Sequence, residues 1–367
     1  MNKGNYYDIE PILKIPAHYR VMFGERSNGK TYAVLKYAFE KYLKDGSELA
    51  IIRRYDNDFS GAQSARTVYD TLIHNGEGVN VIEELTGGSY SGVQYYAGIY
   101  YLTYVDEKGE TRRSEEIIAR AFALNISEHY KSGAYPNVKT VFFDEFIATR
   151  IYLADEFIAF QNVLSTIIRQ RNDVEIFMAG NTINRYNPYF TEMGLYKAKT
   201  MKQGDLDTYT YGDSGLTVAV QFTDTPVRKK KSDVYFAFNN PKLAMITKGD
   251  WQLDIYPHCP KHYRPKDVIF VFLIIFDRET LQAEIVQSED DIFIFIHRKT
   301  TDLKKPDEDL IYSQEYDVRL NHRRNILKPV LDVEKKIAWF FRAEKVFYQD
   351  NEVGDLVANY LAWCRTA

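Results

Sequence analysis

The stretch Gly24-Glu25-Arg26-Ser27-Asn28-Gly29-Lys30-Thr31 matches the phosphate-loop pattern G-x-x-x-x-G-K-[ST] at every fixed position. The chemistry is anion capture. Gly24 and Gly29 let the backbone turn its amides toward a β-phosphate, Lys30 neutralises the β and γ phosphates, and the Thr31 hydroxyl is a ligand for Mg2+. An apolar run, Tyr19 to Phe23, precedes the loop, and Ala33, Leu35, Ala38, Phe39 and Leu43 follow at helical spacing. Strand, loop and helix are therefore in the order that a nucleotide site requires. A glycine-containing turn before an ordinary helix is the bland alternative, and it leaves the coincidence of all fixed positions unexplained.

A second motif closes the strand Val138-Lys139-Thr140-Val141-Phe142-Phe143-Asp144-Glu145. Adjacent carboxylates after an apolar run are often no more than a strand end. With a phosphate loop upstream they read as a Walker B pair, Asp144 supporting the Mg2+ shell and Glu145 polarising the attacking water. A further apolar strand, Val174 to Gly180, ends in Asn181, which reads either as a sensor of the γ-phosphate or as a turn residue. Phe157, Phe160, Leu164, Ile167 and Ile168 give a helix one apolar face, with Arg169 and Arg171 at its end. Those arginines complement the helix dipole, or Arg169 is an arginine finger reaching a neighbouring subunit's γ-phosphate.

The elements that position these residues imply an α/β fold in a chain of 367 residues, long enough for two domains. We expect an ATPase domain over 1–200, a lid or linker over 201–240 and a C-terminal domain over 241–367. The net charge of −4 supplies no global attraction to nucleic acid, so polyanion contacts fall to local patches. Two are candidates. Arg53 and Arg54 close the short strand Glu48 to Ile52, where they face a nucleotide, a neighbouring subunit or DNA, or form a surface pair balanced by Asp56 and Asp58. Arg228, Lys229, Lys230 and Lys231 form a basic run, either solvated or touching a phosphate backbone.

Residues 86–113 alternate like an inserted β-hairpin, and the abundant tyrosines are read as packing residues rather than base-stacking platforms. The cysteines, Cys259 and Cys364, lie far apart without metal-ligand spacing and imply reduced, non-catalytic thiols. No apolar run has the length of a membrane span, and the first residues lack a signal-peptide core, so a cytoplasmic protein is expected. Further on, Val268 to Phe276, Leu281 to Gln287 and Asp291 to His297 read as three strands followed by two amphipathic helices. The first of these strands carries no carboxylate at its middle, where a two-metal nuclease needs one, so cleavage is not expected. His258, His262, His297 and His322 show no ligand spacing.

Together, the loop with Arg26 inside it, Arg53-Arg54-Tyr55, Ala134-Tyr135-Pro136-Asn137-Val138 leading to Asp144-Glu145-Phe146, Arg169-x-Arg171, Asn181 and Asn187-Pro188-Tyr189-Phe190 resemble the genome-packaging ATPases of phi29-like phages. The resemblance runs in order through about the first two hundred residues; the C-terminal third is similar mainly in length and strand pattern. It implies a P-loop NTPase of the ASCE type with a RecA-like parallel sheet, joined to an α+β domain like a vestigial ribonuclease-H-type nuclease. It also implies an ATP- and Mg2+-dependent pentameric ring in the host cytoplasm. That ring docks transiently on the portal of a procapsid and threads double-stranded DNA inwards, in some members with a structural RNA. By motif match, Arg26 takes the family's loop-arginine position and Arg169 its trans-acting finger. One departure is Asp56, where the family carries a lysine.

A P-loop small-molecule kinase and a nucleotide-dependent assembly protein without turnover are the alternatives. The adjacent Asp144-Glu145 pair suits activation of water better than transfer to an acceptor hydroxyl.

Overall fold

The computed structural model describes residues 6–61, 65–74, 78–148, 151–224, 255–259, 262–288, 291–303 and 305–366. The chain divides into two compact units, one of residues 1–148 and 155–251, the other of 149–154 and 252–367.

The first unit is built on a nine-stranded sheet. In chain order its strands are β1 (Tyr19–Gly24), β2 (Glu48–Arg53), β3 (Gly92–Tyr96), β4 (Ile99–Val105), β5 (Thr111–Ala123), β6 (Val138–Asp144), β7 (Glu175–Asn181), β8 (Leu206–Tyr211) and β9 (Leu216–Thr223). In space they run β3-β4-β5-β2-β6-β7-β1-β9-β8, with β5 through β9 parallel and the outer strands antiparallel. The α/β expectation holds. The central strands are apolar nearly throughout because both of their faces are covered. Among the described residues its α-helices are α1 (Glu10–Leu13), α2 (Lys30–Asp45), α3 (Asp70–Ile73), α4 (Val81–Leu85), α5 (Glu156–Ile168) and α6 (Pro188–Glu192). Val34, Leu35, Ala38 and Phe39 on α2 and Phe160, Val163, Leu164 and Ile167 on α5 are buried, so each helix turns one stripe inward.

Two details place the site. Strand β7 lies between β1, which feeds the phosphate loop, and β6, which ends in Asp144, so Asn181 stands between the two motifs. That is the extra-strand arrangement of an ASCE sheet. The lid or linker expected from residue 201 is corrected over its first half: β8 and β9 form a hairpin, and β9 pairs in parallel with β1 from Tyr19↔Val218 to Gly24↔Thr223. The inserted hairpin is present as β3 and β4, continuous through β5 with the main sheet.

The second unit carries β10 (Val268–Phe276), β11 (Glu279–Gln287), β12 (Ile292–Arg298), β13 (Leu310–Ser313), β14 (His322–Arg323) and β15 (Val346–Tyr348), with α7 (Asp332–Arg342) and α8 (Asn351–Thr366). Its sheet order is β14-β13-β10-β11-β12-β15. The β10–β11–β12 meander is antiparallel, while β13 runs parallel to β10 and β14 to β13, the pairing of a ribonuclease-H-type sheet. Phe272, Leu273 and Ile274 at the middle of β10 are buried core residues.

On the β11–β12 pair, Glu284 accepts from Tyr263 (2.6 Å) and Gln282 (2.6 Å) and faces His297 Nε2 at 3.4 Å. The His297 contact, with the other two donors, holds the Glu284 carboxyl down to about 2, against its partial burial. Reciprocally, the Glu284 contact raises the imidazole above its ordinary value, against desolvation. A depressed carboxylate stabilises the fold above its unfolded value, and a raised histidine does so until pH climbs through its folded value. Both terms are therefore present together in mildly acidic solution. Glu284→Gln should lower Tm more at about pH 5.5 than at about pH 8.5. Thermal unfolding at the two pH values checks this, and an equal loss at both would discount the pair.

Candidate nucleotide-binding site

Strand β1 delivers the loop and α2 receives it. Gly29 caps α2 at φ 94°, a left-handed conformation that favours glycine, and a Cβ there would lie 2.9 Å from the Tyr6 ring. No side chain caps the first turn of α2, so its amides and the positive end of its dipole remain available to an anion. The loop borders a cleft of about 450 Å³ whose walls include Arg26, Asn28, Lys30 and Thr31, Asp144 and Glu145 from the end of β6, and Asn181 from the end of β7. The candidate residues of three separate strands therefore meet in one place.

Lys30 is buried. Its ammonium donates to Glu25 O (2.7 Å), Asn28 Oδ1 (3.1 Å) and Asn181 Oδ1 (3.4 Å). Burial pushes its pKa down to about 7, and the nearby Asp144 and Glu25 carboxylates act the other way. Across the cleft Thr31 Oγ1 donates to Asp144 Oδ1 at 3.1 Å. This pair of hard oxygens fits Mg2+, which takes one or two protein ligands and completes its shell with phosphate and water. Burial raises the Asp144 carboxyl, and the Arg53 guanidinium, 2.7 Å from Oδ2, opposes that. Glu145 takes a positive φ of 61°, unusual for a side chain of its size, and its side chain is 61% exposed. Its carboxylate pairs with Arg53 Nη1 at 2.8 Å.

For Arg53 and Arg54 the sequence leaves a nucleotide, a neighbouring subunit, DNA or a surface pair balanced by Asp56 and Asp58 open, and in the structure the two side chains go to different places. Arg53 bridges Asp144 and Glu145 inside the cleft. Arg54 points away from it, into a buried pair with Glu156 on α5 (2.8 and 3.0 Å), and also donates to Glu145 O (3.3 Å) and Phe146 O (2.8 Å). Successive strand residues face opposite sides of the sheet, so both guanidinium groups are spent on carboxylates within the fold. The other basic run, Arg228 to Lys231, lies outside the described residues.

Arg169, at φ 52°, closes α5 and donates to Gly133 O at 2.6 Å. Arg171 holds Tyr135 O and Pro136 O. These carbonyls precede β6, whereas the cleft lies where β6 ends, so Arg169 does not enter its own chain's cleft. Sequence reasoning missed Tyr6, which stacks on Tyr32 with ring centroids 4.8 Å apart beside Gly29. It also missed Thr71 and His74 in the cleft wall and Thr223 behind the loop. None of these carries a spacing signal, because each arrives through long-range packing.

The family model for the podovirus DNA encapsidation protein (Gp16) matches residues 108–299, more than half of the chain. The chain belongs to this family. The resemblance read from its motifs is thereby borne out. Among curated relatives, the DNA packaging protein of Bacillus phage PZA is 26% identical over 284 residues, covering 77% of this chain and 76% of its own length. That of Bacillus phage phi29 is 26% identical over 289 residues with the same coverage. Among solved structures, the Phi-28 gp11 DNA packaging motor superposes with a TM-score of 0.55 at 18% identity, over 99% of both chains. The phi29 genome packaging motor assembly gives 0.56 at 18% identity, over 96% of this chain and 98% of the other. These two likenesses show a shared fold.

The buried Arg54–Glu156 pair is completed by Tyr189, whose hydroxyl donates to Glu156 Oε1 at 2.7 Å. Because removing one partner strands the other charge, Glu156→Gln should cost about 3 kcal/mol of stability. Denaturant unfolding measures it; a loss below about 1 kcal/mol would show that Arg54 is satisfied by the two backbone carbonyls alone.

Proposed function

We propose that the chain is an ATPase that drives double-stranded DNA into a viral procapsid, working as a ring of identical subunits. One observation carries this reading: Lys30 and Thr31 of the loop share a cleft with Asp144 and Glu145, with Thr31 Oγ1 and Asp144 Oδ1 3.1 Å apart. Membership of the DNA encapsidation family supports the substrate.

In this reading Gly24 to Thr31 wrap the phosphates and Lys30, held in place by neutral acceptors, brings its charge to them. Thr31 and Asp144 hold Mg2+, which when bound neutralises phosphate charge. Glu145 takes a proton from the attacking water, and Asn181, already beside Lys30, is placed to sense the γ-phosphate. Arg53 pairs with both carboxylates, and so competes with metal and water for Asp144 and Glu145. Arg26 lines the cleft from the loop and faces developing charge. Arg169, remote from its own cleft, is available to a neighbouring subunit's site.

DNA contact runs through phosphates, since packaging is indifferent to sequence. The other expected partners are a portal or connector, sister subunits in a pentamer and, where required, a structural RNA, met in the host cytoplasm at the procapsid vertex. The second unit is assigned no cleavage chemistry, because the middle of β10 is apolar core.

DNA-stimulated ATP turnover tests the reading. Glu145→Gln should retain ATP binding and lose at least about a hundredfold in rate, the contribution of a positioned general base. Lys30→Ala should lose binding itself. Turnover indifferent to the Glu145 change would rule out hydrolysis by this carboxylate. Mixing Glu145→Gln with Arg169→Ala subunits should partly restore activity if Arg169 serves a neighbour, and should restore none if it does not.

A further inference from the structure

Thr223 is the last residue of β9, fully buried, and paired in register with Gly24 at the start of the phosphate loop. Its Oγ1 lies 3.2 Å from Phe23 O and 2.7 Å from Asn28 Nδ2. The Phe23 carbonyl only accepts, so it takes the single hydroxyl hydrogen. Toward Asn28, Thr223 is then left with lone pairs alone and must be met by the amide nitrogen. The amide oxygen consequently points the other way, to the Lys30 ammonium at 3.1 Å. The chain of donors is therefore directional from Lys30 through Asn28 and Thr223 to the Phe23 carbonyl, and all three side chains are buried, beyond easy correction by solvent. Gly24 belongs to the same device, since a Cβ there would lie 2.2 Å from Thr223 Oγ1.

We propose that Thr223 is a positioning residue for nucleotide binding: it orients the Asn28 amide so that an acceptor, and not a donor, faces Lys30. The inference rests on the reading of the cleft as a nucleotide site and adds to it a residue nearly two hundred positions from the loop. Without the hydroxyl the amide is free to turn, and its NH2 group then opposes the ammonium.

The experiment is a double-mutant cycle on the full-length chain, reading ATP affinity by calorimetry with Mg2+ present and KM and kcat by turnover. Thr223→Val keeps the branched shape and removes the hydroxyl. It should weaken ATP binding roughly tenfold, the worth of one hydrogen bond to a charged group, with kcat at saturation changed less than about threefold. Thr223→Ser should bind as wild type does. A carboxylate has no donor end to turn, so in an Asn28→Asp background the Thr223→Val change should have no further effect on affinity. A purely structural role predicts the same loss in both backgrounds and overturns the proposal, as does wild-type affinity in Thr223→Val. Lys30→Ala separates the two levels: if it binds ATP as wild type does, the nucleotide site itself is misassigned, whereas loss there with an unaffected Thr223→Val removes only the inference.

Discussion

Charge taken out of water at the carboxyl ends of β2 and β6 has to be neutralised inside the fold, and this constraint arranges the cleft. An isolated buried carboxylate costs several kcal/mol, so Asp144 needs both its Thr31 hydrogen bond and its Arg53 contact. Glu156 presents the same demand on the far side of the sheet and is met by Arg54 and Tyr189. Two consecutive arginines at the end of one strand thus fasten it in opposite directions, Arg53 to the carboxylates at the end of the neighbouring strand and Arg54 to a helix. Arg54 goes further, since its bonds to the carbonyls of Glu145 and Phe146 hold the backbone where Glu145 takes its positive φ. The chain beneath the exposed Glu145 side chain is thus pinned, while the side chain itself pairs with Arg53.

The phosphate loop is framed in the same way. On one side β7 supplies Asn181 to the Lys30 ammonium; on the other β9 supplies Thr223 to Asn28. Near the N-terminus, Tyr7 donates its amide to Asn28 O and its hydroxyl to Gln221 on β9. The Lys30 ammonium is thus held by neutral hydrogen bonds, which fix its position without cancelling its charge as a carboxylate would.

The parts legible in the sequence were those set by local chain chemistry. The loop has to be glycine-containing, Lys30-bearing and followed by a helix, so its eight residues could be read directly. Apolar runs ending in Asp144 and Asn181 showed where strands stop at a cleft. Side-chain direction was not legible. Arg53 and Arg54 announce charge in any sequence, but which face each serves depends on the registers Ile51↔Phe142 and Ile52↔Phe143, which are long-range pairings. Strand β9 was hidden for a related reason. Its alternation is plain enough in Leu216 to Thr223, but its partner is β1, some two hundred residues earlier, and only that pairing turns an apparent linker into the flank of the phosphate loop.

Arg169 shows how far geometry within one chain can carry a functional argument. Helix α5 starts beside Arg54, level with the cleft, and runs back along the sheet for 13 residues. At a rise of about 1.5 Å per residue that is roughly 20 Å, several times the reach of an arginine side chain. Its last turn is then fastened to the loop before β6 by Arg169 on Gly133 and Arg171 on Tyr135 and Pro136. A contribution of Arg169 to its own chain's phosphates would require α5 to reverse on the sheet, against the buried face of Phe160, Val163, Leu164 and Ile167. Within its own chain Arg169 therefore serves the fold, as the tie between the end of α5 and the loop that feeds β6.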